Sequence, residues 1–249
     1  LKHYDNALKK IPRLEAKKVF RVIKKNLPNQ ITLDANNKSD KSDKNDKSDK
    51  SKTKYDLDIV PAGSYPSGKP ESKDVDIIIV VDNQSQNIDS FNSNLGDIEM
   101  SKIMTQIVGN LKEKDILVDI LSQGNRNLMG YINLVGDSSK VVHLDLKLVS
   151  KYNFPFTYLH FTSGVDFNRY IRNHANKLDY SLSDLGLFRE VADIDTDNKI
   201  KVSDKDGNRN RIPNKVFEFD DDIIRNIVEN EKKIFEHLGL NYVSIKNRR

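Results

Sequence analysis

The chain has 249 residues, which is long enough to bury a sizeable core as one large domain or two small ones. Charged residues make up 31% of the chain, and its formal net charge is +4. The chain contains no cysteine, which excludes disulfides, thiolate metal sites and cysteine nucleophiles. No apolar run approaches the ~20 residues that span a bilayer, and the N-terminus lacks the apolar core of a signal peptide. We therefore expect a soluble, intracellular protein without a membrane partner. Its first residue is Leu rather than Met, which hints that a preceding portion was removed.

The N-terminal segment is basic, with nine Lys or Arg in residues 1–28 against Asp5 and Glu15. Such an excess is the usual footprint of a polyanionic partner, although a solvated helix face explains it equally well. The apolar spacing from Leu14 to Leu27 predicts an amphipathic helix that has Pro12 in its first turn and ends at Pro28. Residues 35–54 repeat Lys-Ser-Asp or Lys-Asn-Asp and predict a disordered insertion.

The middle of the chain has the patterns of a sheet with one helix. Strands are predicted from Tyr55 and over Val75–Val81, a helix over Met100–Leu111, and further strands over 116–121, 129–135 and 141–149. The last two strands are predicted to form an antiparallel hairpin with a turn at 136–140. Short helices, a loop or hairpin over 193–210 and a closing amphipathic segment follow. The pattern predicts an α+β fold, a mixed sheet followed by a smaller, mostly helical subdomain with a short β-hairpin.

Three aspartates are the candidates for chemistry. Asp74 and Asp76 are two residues apart on a predicted strand, so their side chains point to the same face, and Asp145 lies on a strand expected to be a neighbour. Three such carboxylates can hold two Mg²⁺ ions by oxygen ligation, with Mn²⁺ as a substitute. The pairs at 56/58, 193/195, 195/197 and 204/206 share the spacing but are interpreted as turn or surface acids. Only Asp74 and Asp76 come directly before an apolar run, Ile77–Val81, that is expected to be buried on both sides.

A glycine- and serine-containing turn precedes these aspartates. Gly63 and Ser64 can present backbone N–H groups and a hydroxyl to a triphosphate, Lys69 can add a positive charge, and Ser72 stands just ahead of Asp74. An ordinary loop is the alternative interpretation of this turn.

The stretch from Gly63 to Asp76, the segment from His143 to Lys147 and the segment from Tyr158 to Arg169 together resemble the family X DNA polymerases. Residues 1–23 and the segment from Glu231 to Gly239 extend the resemblance over nearly the whole chain apart from the insertion. The resemblance implies a nucleotidyltransferase-type palm. It assigns residues 1–30 to the end of an N-terminal DNA-binding region, 31–149 to the catalytic palm and 150–249 to a nucleotide- and template-contacting subdomain.

The resemblance also implies roles for individual residues. Asp74, Asp76 and Asp145 would be the catalytic metal ligands, and Asp145 would accept the proton of the primer 3′-hydroxyl. The nucleotide would be bound by Lys10, Arg13, Gly63, Ser64, Lys69, Ser72, His160, Phe161, Ser163, Gly164 and Asn168. The DNA would be bound by His143, Lys147, Arg169 and Arg172. Asn168 and Arg172 are four residues apart and are predicted to share a helix face.

Three sites depart from the family pattern, and one of them is the bend at Ser163-Gly164, where the family usually has another pair. Ser67 stands where the family usually has a triphosphate-binding arginine, and His160 stands where it commonly has tyrosine beside the sugar. We hypothesise that His160 alters discrimination against ribonucleotides, a hypothesis that would fail if wild type and His160→Tyr incorporated ribonucleotides and deoxyribonucleotides in the same ratio.

The implied function is DNA-directed addition of deoxynucleoside triphosphates to primer-template or gapped DNA by a monomer, in short-gap filling during base excision repair. Little of the family's N-terminal lyase portion is covered, so we expect no 5′-deoxyribose-phosphate lyase activity. Template-independent terminal transfer and a non-catalytic DNA-binding scaffold are the alternatives. The composition leaves a nucleus and a viral factory open as locations.

Overall fold

The computed structural model describes residues 9–34, 52–83, 96–134, 137–190, 211–213 and 227–248. These residues divide into two compact units. Unit 1 comprises residues 1–61 and 70–150, and unit 2 comprises residues 62–69 and 151–249. Residues 62–69, which the sequence analysis assigns to the catalytic palm, thus belong to unit 2. No helix in the described part of the chain is long and apolar enough to cross a membrane.

Unit 1 is built on a six-stranded mixed sheet. Its elements are β1 (Ile11–Pro12), α1 (Arg13–Asn26), β2 (Gln30–Asp34), β3 (Lys52–Pro61), β4 (Glu71–Ser72), β5 (Asp74–Asp82), α2 (Asp97–Glu113), β6 (Leu117–Gln123), β7 (Asn127–Leu134) and β8 (Asp137–Ser150). The strand order is β2-β3-β5-β8-β7-β6, and β1 pairs separately with β4. Only the central pair β5 and β8 is parallel, whereas the other pairs are antiparallel.

The core of unit 1 follows from the apolar periodicity of its helices and from the β-branched run of β5. All six apolar residues predicted to share a face of α2 are buried: Met100, Ile103, Met104, Ile107, Val108 and Leu111. On α1, Ala16, Val19 and Ile23 are buried. Residues 77–81 of β5 are buried without interruption, as a strand covered on both faces requires.

In its described residues, unit 2 has three α-helices, a short 3₁₀-helix (Ile245–Asn247) and a three-stranded antiparallel sheet. Its elements are α3 (Phe154–Thr162), α4 (Val165–Asn176), β9 (Tyr180–Ser183), β10 (Gly186–Glu190), β11 (Arg211–Pro213) and α5 (Ile227–His237). The core gathers Phe156, Leu159, Phe167, Ile171, Leu182, Leu187, Ile234, Phe235 and Leu238. Strands β9 and β10 form a hairpin that precedes the loop or hairpin predicted over 193–210, and β11 pairs with β10 as a third strand.

Several predictions of local structure need correction. Lys52–Lys54, predicted to belong to the insertion, pair with Thr32–Asp34 of β2, a strand that the sequence analysis missed. The turn predicted over 136–140 is wrong in its second part, since β8 already begins at Asp137, opposite Leu134. Pro12 precedes α1 instead of entering its first turn. Asp56 and Asp58, interpreted as turn or surface acids, lie on strand β3, where Asp58 is exposed and Asp56 is half-buried.

Some predictions lie outside the described residues. They are the insertion over 35–51, the acidic pairs at 193/195, 195/197 and 204/206, the loop or hairpin over 193–210, Gly136, and residues 1–8.

The close pairing of β6 and β7 yields a test at Gly130, which is buried opposite Ile120. A Cβ atom there would lie 2.4 Å from the Asp119 backbone oxygen and 3.2 Å from the Leu117 side chain. Since a backbone oxygen cannot move aside cheaply, we expect Gly130→Ala to lower the free energy of unfolding by about 1–3 kcal/mol in denaturant titrations.

The control for this test is Gly109→Ala in α2, where a Cβ would meet nothing within 4 Å. Helix propensity predicts that this variant is about 1 kcal/mol more stable than wild type. A Gly130→Ala protein as stable as wild type would contradict the described packing of β6 on β7.

Candidate active site

The three candidate carboxylates lie on the parallel strand pair at the centre of unit 1. Asp76 of β5 is directly opposite Asp145 of β8, and Asp74 is opposite His143. Residues in register on adjacent strands project to the same face of a sheet, and so do residues two apart on one strand. The prediction that Asp145 lies on a strand neighbouring β5 is therefore confirmed, and the three carboxylates share one face.

The two faces of the sheet differ in burial around these carboxylates. Val75, Leu144 and Leu146 alternate with the carboxylates and are buried, whereas Asp74, Asp76 and Asp145 are half-buried. Asp74 and Asp76 stand at the beginning of β5, just before the run in which both faces are covered. The alternation of apolar and acidic residues thus fixes which side chains face the site.

The carboxylates are close enough to influence each other's charge. Burial, and to a smaller extent the negative charges of Asp74 and Asp145, raise the pKa of Asp76 from 3.8 to about 7. Burial also raises the pKa of Asp145, helped by Asp74 and opposed by the positive charges of His143 and Lys147. A raised carboxylate pKa indicates negative charge that lacks full compensation, which a cation would supply.

The chemistry of these donors fits a hard divalent cation, because carboxylate oxygens are the ligands that Mg²⁺ and Mn²⁺ prefer. The side chains as placed are not a finished set of ligands. Within the described ranges, no three His, Asp or Glu side chains converge closely enough to hold a metal ion. Repulsion among uncompensated carboxylates favours such a separation, so binding a cation at Asp74, Asp76 and Asp145 would require them to rotate towards each other.

Three further predicted residues of unit 1 are brought together at the β1–β4 bridge. Ile11 pairs with Ser72, which is buried, and the Arg13 backbone N–H donates to the Pro70 oxygen at 2.8 Å. Lys10 forms an exposed ion pair with Glu71 at 3.4 Å. The bridge therefore holds Lys10, Arg13 and Ser72 beside the start of β5.

The predicted Gly-Ser turn lies in unit 2 and is held by its own hydrogen bonds. The Ser64 carbonyl accepts from the Lys69 N–H at 3.3 Å and from the Ser67 hydroxyl at 2.8 Å. Gly63 and Gly68 have positive φ values of 61° and 80°, which favour glycine. Ser67, at the family's usual arginine position, thus contributes to the shape of the turn through its hydroxyl.

The other predicted nucleotide-binding residues surround the bend between α3 and α4, which we call the α3–α4 bend and define as Thr162–Gly164. Its backbone is extended at Ser163 and Gly164. The Asn168 side-chain amide donates to the His160 carbonyl at 2.9 Å and to the Ser163 carbonyl at 3.2 Å. The Phe161 ring meets the His160 ring edge to face at 5.2 Å.

Arg172 shares this contact with His160. Its Nη2 lies 3.0 Å from His160 Nδ1, and because arginine can only donate, the imidazole nitrogen must accept. The prediction that Asn168 and Arg172 share a helix face is confirmed, since both reach His160. Arg169 instead pairs with Asp166 at 3.4 Å on the exposed side of α4.

His143 and Lys147, predicted to contact DNA, lie two residues on either side of Asp145 and share its face of the sheet. The His143 ring packs edge to face against Tyr131 at 5.8 Å. Their positive charges lower the pKa of Asp145, as noted above. The DNA-binding roles of both residues stay predictions.

One buried charged pair in unit 2 was missed. Arg248 and Glu231 have fully buried side chains and are bonded to each other. A signal for Glu231 exists in the sequence, because it falls on the apolar face of α5 that also carries Ile234, Phe235 and Leu238. An acid on a buried helix face requires a cationic partner, but spacing alone cannot identify which cation supplies it.

The raised pKa of Asp76 yields a test in protein kept free of divalent cations. A pKa raised by folding means that protonation stabilises the folded state, and this stability is lost as pH rises from 3.8 through about 7. Each pH unit in this window costs the folded state up to about 1.4 kcal/mol. We therefore expect Asp76→Asn to be more stable than wild type at pH 8 and equally stable at pH 4. Thermal unfolding in the presence of a chelator measures the difference at each pH.

The control is Asp58→Asn, which removes an exposed acid of the same sequence spacing on β3. It should change stability little at either pH. An Asp76→Asn variant that gained the same stability at pH 4 as at pH 8 would exclude a raised pKa as the cause.

Comparisons with known proteins agree with this arrangement. The family model described as DNA polymerase beta palm matches residues 41–151, and the model described as DNA polymerase beta thumb matches residues 157–249. Together the two models cover most of the chain.

Two solved structures of Leishmania infantum polymerase beta share the fold. The one described as a ternary gap complex is 20% identical, covers 99% of this chain and 73% of its own, and has a TM-score of 0.66. The one described as a ternary P/T complex is 19% identical, covers 100% of this chain and 80% of its own, and has a TM-score of 0.64. With palm and thumb models matched in order along the sequence, the chain belongs to the DNA polymerase beta family and is a family X DNA polymerase.

Proposed function

We propose that this polymerase adds deoxynucleotides to a primer 3′-hydroxyl by two-metal chemistry and fills short gaps during DNA repair. The observation that carries the proposal is the register of β5 and β8, which sets Asp76 opposite Asp145 with Asp74 on the same face. Uncompensated negative charge at this position suits a site for divalent cations. In the reaction, the hydroxyl would attack the α-phosphorus in line and release pyrophosphate.

All three carboxylates would bind cations, and one of them would also act as the base. Asp74 and Asp76 would hold the cations, and Asp145 would hold a cation and accept the proton of the 3′-hydroxyl. Asp145 is half-buried and lies in register beside Asp76, which suits both tasks. Two bound Mg²⁺ ions, or Mn²⁺ in their place, would neutralise the charge that develops on the phosphates.

Unit 2 and the β1–β4 bridge would supply the nucleotide contacts. Lys10, Arg13 and Ser72 are held together beside β5, and the basic side chains suit a triphosphate. In unit 2, Asn168 and His160 would contact the incoming nucleotide, and Arg172 the template strand. Gly63, Ser64 and Lys69 belong to the turn that would contact the triphosphate.

Templated addition is favoured over terminal transfer. Relatives that extend free single strands resemble each other in having a long loop between the strands that correspond to β7 and β8. Here these strands remain paired as far as Leu134 and Asp137, so the connection is short. We propose gapped or primer-template DNA and deoxynucleoside triphosphates as partners and a monomer as the working state.

The first test is the loss of Asp145 in a primer-extension assay with Mg²⁺ on a one-nucleotide gap. Asp145→Asn keeps the size of the side chain but removes its charge and basicity, so we expect kcat to fall on the order of 10²- to 10⁴-fold. Asp58→Asn, an exposed acid in the same sheet, should retain wild-type activity. Wild-type activity in Asp145→Asn would refute the role assigned to Asp145. A wild type without extension activity would favour the scaffold alternative.

The second test separates templated addition from terminal transfer. We expect the wild type to insert only the nucleotide complementary to a single templating base in a gap, and to change its choice when that base is changed. A free single-stranded primer should not be extended. Extension of that primer at a rate comparable to gap filling would contradict templated synthesis and establish terminal transfer.

A further inference from the structure

The exposed side of helix α1 is strongly basic. Its cationic residues after the first turn are all exposed, and we call them the basic face of α1: Lys17, Lys18, Arg21, Lys24 and Lys25. At 3.6 residues per turn they lie within an arc of about 120° around the helix axis. The opposite side of the helix carries the buried residues Ala16, Val19 and Ile23.

The charges of the basic face are not compensated by acidic side chains within the described residues. None of the five side chains forms an ion pair with a carboxylate in these parts of the chain. Lys24 has its Nζ 6.0 Å from the centre of the Phe20 ring, a contact that adds no negative charge. Glu15, the one acid of α1, is half-buried and lies outside the arc.

This clustering of like charges opposes helix stability. Lys17, Lys18, Lys24 and Lys25 each lie three or four residues from Arg21, and like charges at these spacings repel each other on a helix. The last two are near the negative end of the helix dipole, which favours cations. The first two lie in the first half of the helix, where the dipole offers no such compensation. A bound anion would supply it.

The basic face points away from the sheet that carries the candidate carboxylates. Helix α1 packs against β5 and α2 with its apolar stripe, so the cations lie on the outer side of a helix about 10 Å in diameter. At the end of α1, Lys114 Nζ donates to the Asn26 carbonyl at 2.6 Å and connects the helix to the segment after α2. A polyanion bound by the basic face is therefore separate from the DNA end that would react at the carboxylates.

The shape and composition of the basic face favour DNA as this polyanion. From Lys17 to Lys25 the cations extend about 12 Å along the helix axis, which suits an extended partner such as duplex DNA, with a negative charge about every 1.7 Å. An anionic membrane would require apolar side chains beside the cations, and a protein interface would require an apolar centre. Leu14, 65% exposed, is the one apolar side chain within the arc.

We propose that the basic face of α1 binds the phosphate backbone of a second DNA duplex, separate from the primer-template; this inference rests on the proposed function. A duplex bound at the carboxylates would not bend around unit 1 to reach α1, because the persistence length of DNA is about 150 base pairs. The contacts would be independent of sequence and sensitive to salt, since cations that bind phosphates release counterions. The polymerase would thus hold an intact duplex while it fills a gap in another.

The test is a duplex-capture assay with a variant that combines Lys17→Gln, Arg21→Gln and Lys24→Gln, which removes three charges and keeps good helix formers. An immobilised duplex with a one-nucleotide gap is saturated with protein, and binding of a labelled intact duplex is measured over a series of KCl concentrations. We expect the wild type to capture the intact duplex and the variant to bind it on the order of 10- to 100-fold more weakly. The dependence of log K on log salt should lose about 0.9 for each phosphate contact removed.

The matched control combines Lys52→Gln, Lys54→Gln and Lys177→Gln, which removes the same charge from exposed lysines on β3 and at the end of α4. It should capture the intact duplex as the wild type does. The inference is overturned if the α1 variant captures this duplex as well as wild type, or if the control loses capture to the same extent.

Two further measurements separate this inference from its alternatives. The α1 variant should keep the wild-type kcat in gap filling, whereas Asp145→Asn should lose gap filling and keep duplex capture, so the second site and the proposed function fail independently. Vesicles of phosphatidylserine and phosphatidylcholine test a membrane as the partner. Vesicle binding that is lost in the α1 variant while duplex capture is unchanged would overturn DNA as the ligand.

Discussion

The parallel pairing of β5 with β8 is the constraint on which the rest of the site depends. It sets Asp76 beside Asp145 and leaves Asp74 two residues away on the same face. Gathering three carboxylates on a half-buried sheet face is costly, and the raised pKa of Asp76 has the same cause. The buried β-branched run from Ile77 to Val81 offsets it by anchoring the strand on both faces. The fold therefore holds a charge arrangement that would not persist in a mobile loop, which is what a site for divalent cations requires.

The buried charges of unit 2 compensate each other, unlike the carboxylates of unit 1. In the pair formed by Arg248 and Glu231 each charge is compensated, so the pair contributes geometry and not chemistry. It fixes the α3–α4 bend from the C-terminal side, while Asn168 holds the bend from α4. The contact between Arg172 and His160 belongs to the same network and requires the neutral imidazole nitrogen to accept.

Features that follow from local sequence periodicity could be predicted, whereas pairings between distant parts of the chain could not. The buried face of α2 follows directly from its 3.6-residue periodicity, and the burial of Val75 between two aspartates follows from the period of two. Strand β2 was missed because it is short and contains only Ile31 and Leu33 as apolar residues. The pairing of Arg248 with Glu231 depends on the path of the chain after α5, and residues 17 positions apart leave no periodic signal. The Asp-x-Asp spacing alone could not separate Asp74 and Asp76 from Asp56 and Asp58; what separates them is the neighbouring strand that carries Asp145.

The measurement that tests the central claim most directly is a crystal structure with gapped DNA, a non-hydrolysable deoxynucleotide and Mn²⁺, located by its anomalous scattering. We predict two manganese peaks held by the carboxylates of Asp74, Asp76 and Asp145, with the triphosphate completing their coordination. Peaks bound elsewhere, or a nucleotide bound with these three carboxylates still apart, would contradict the account.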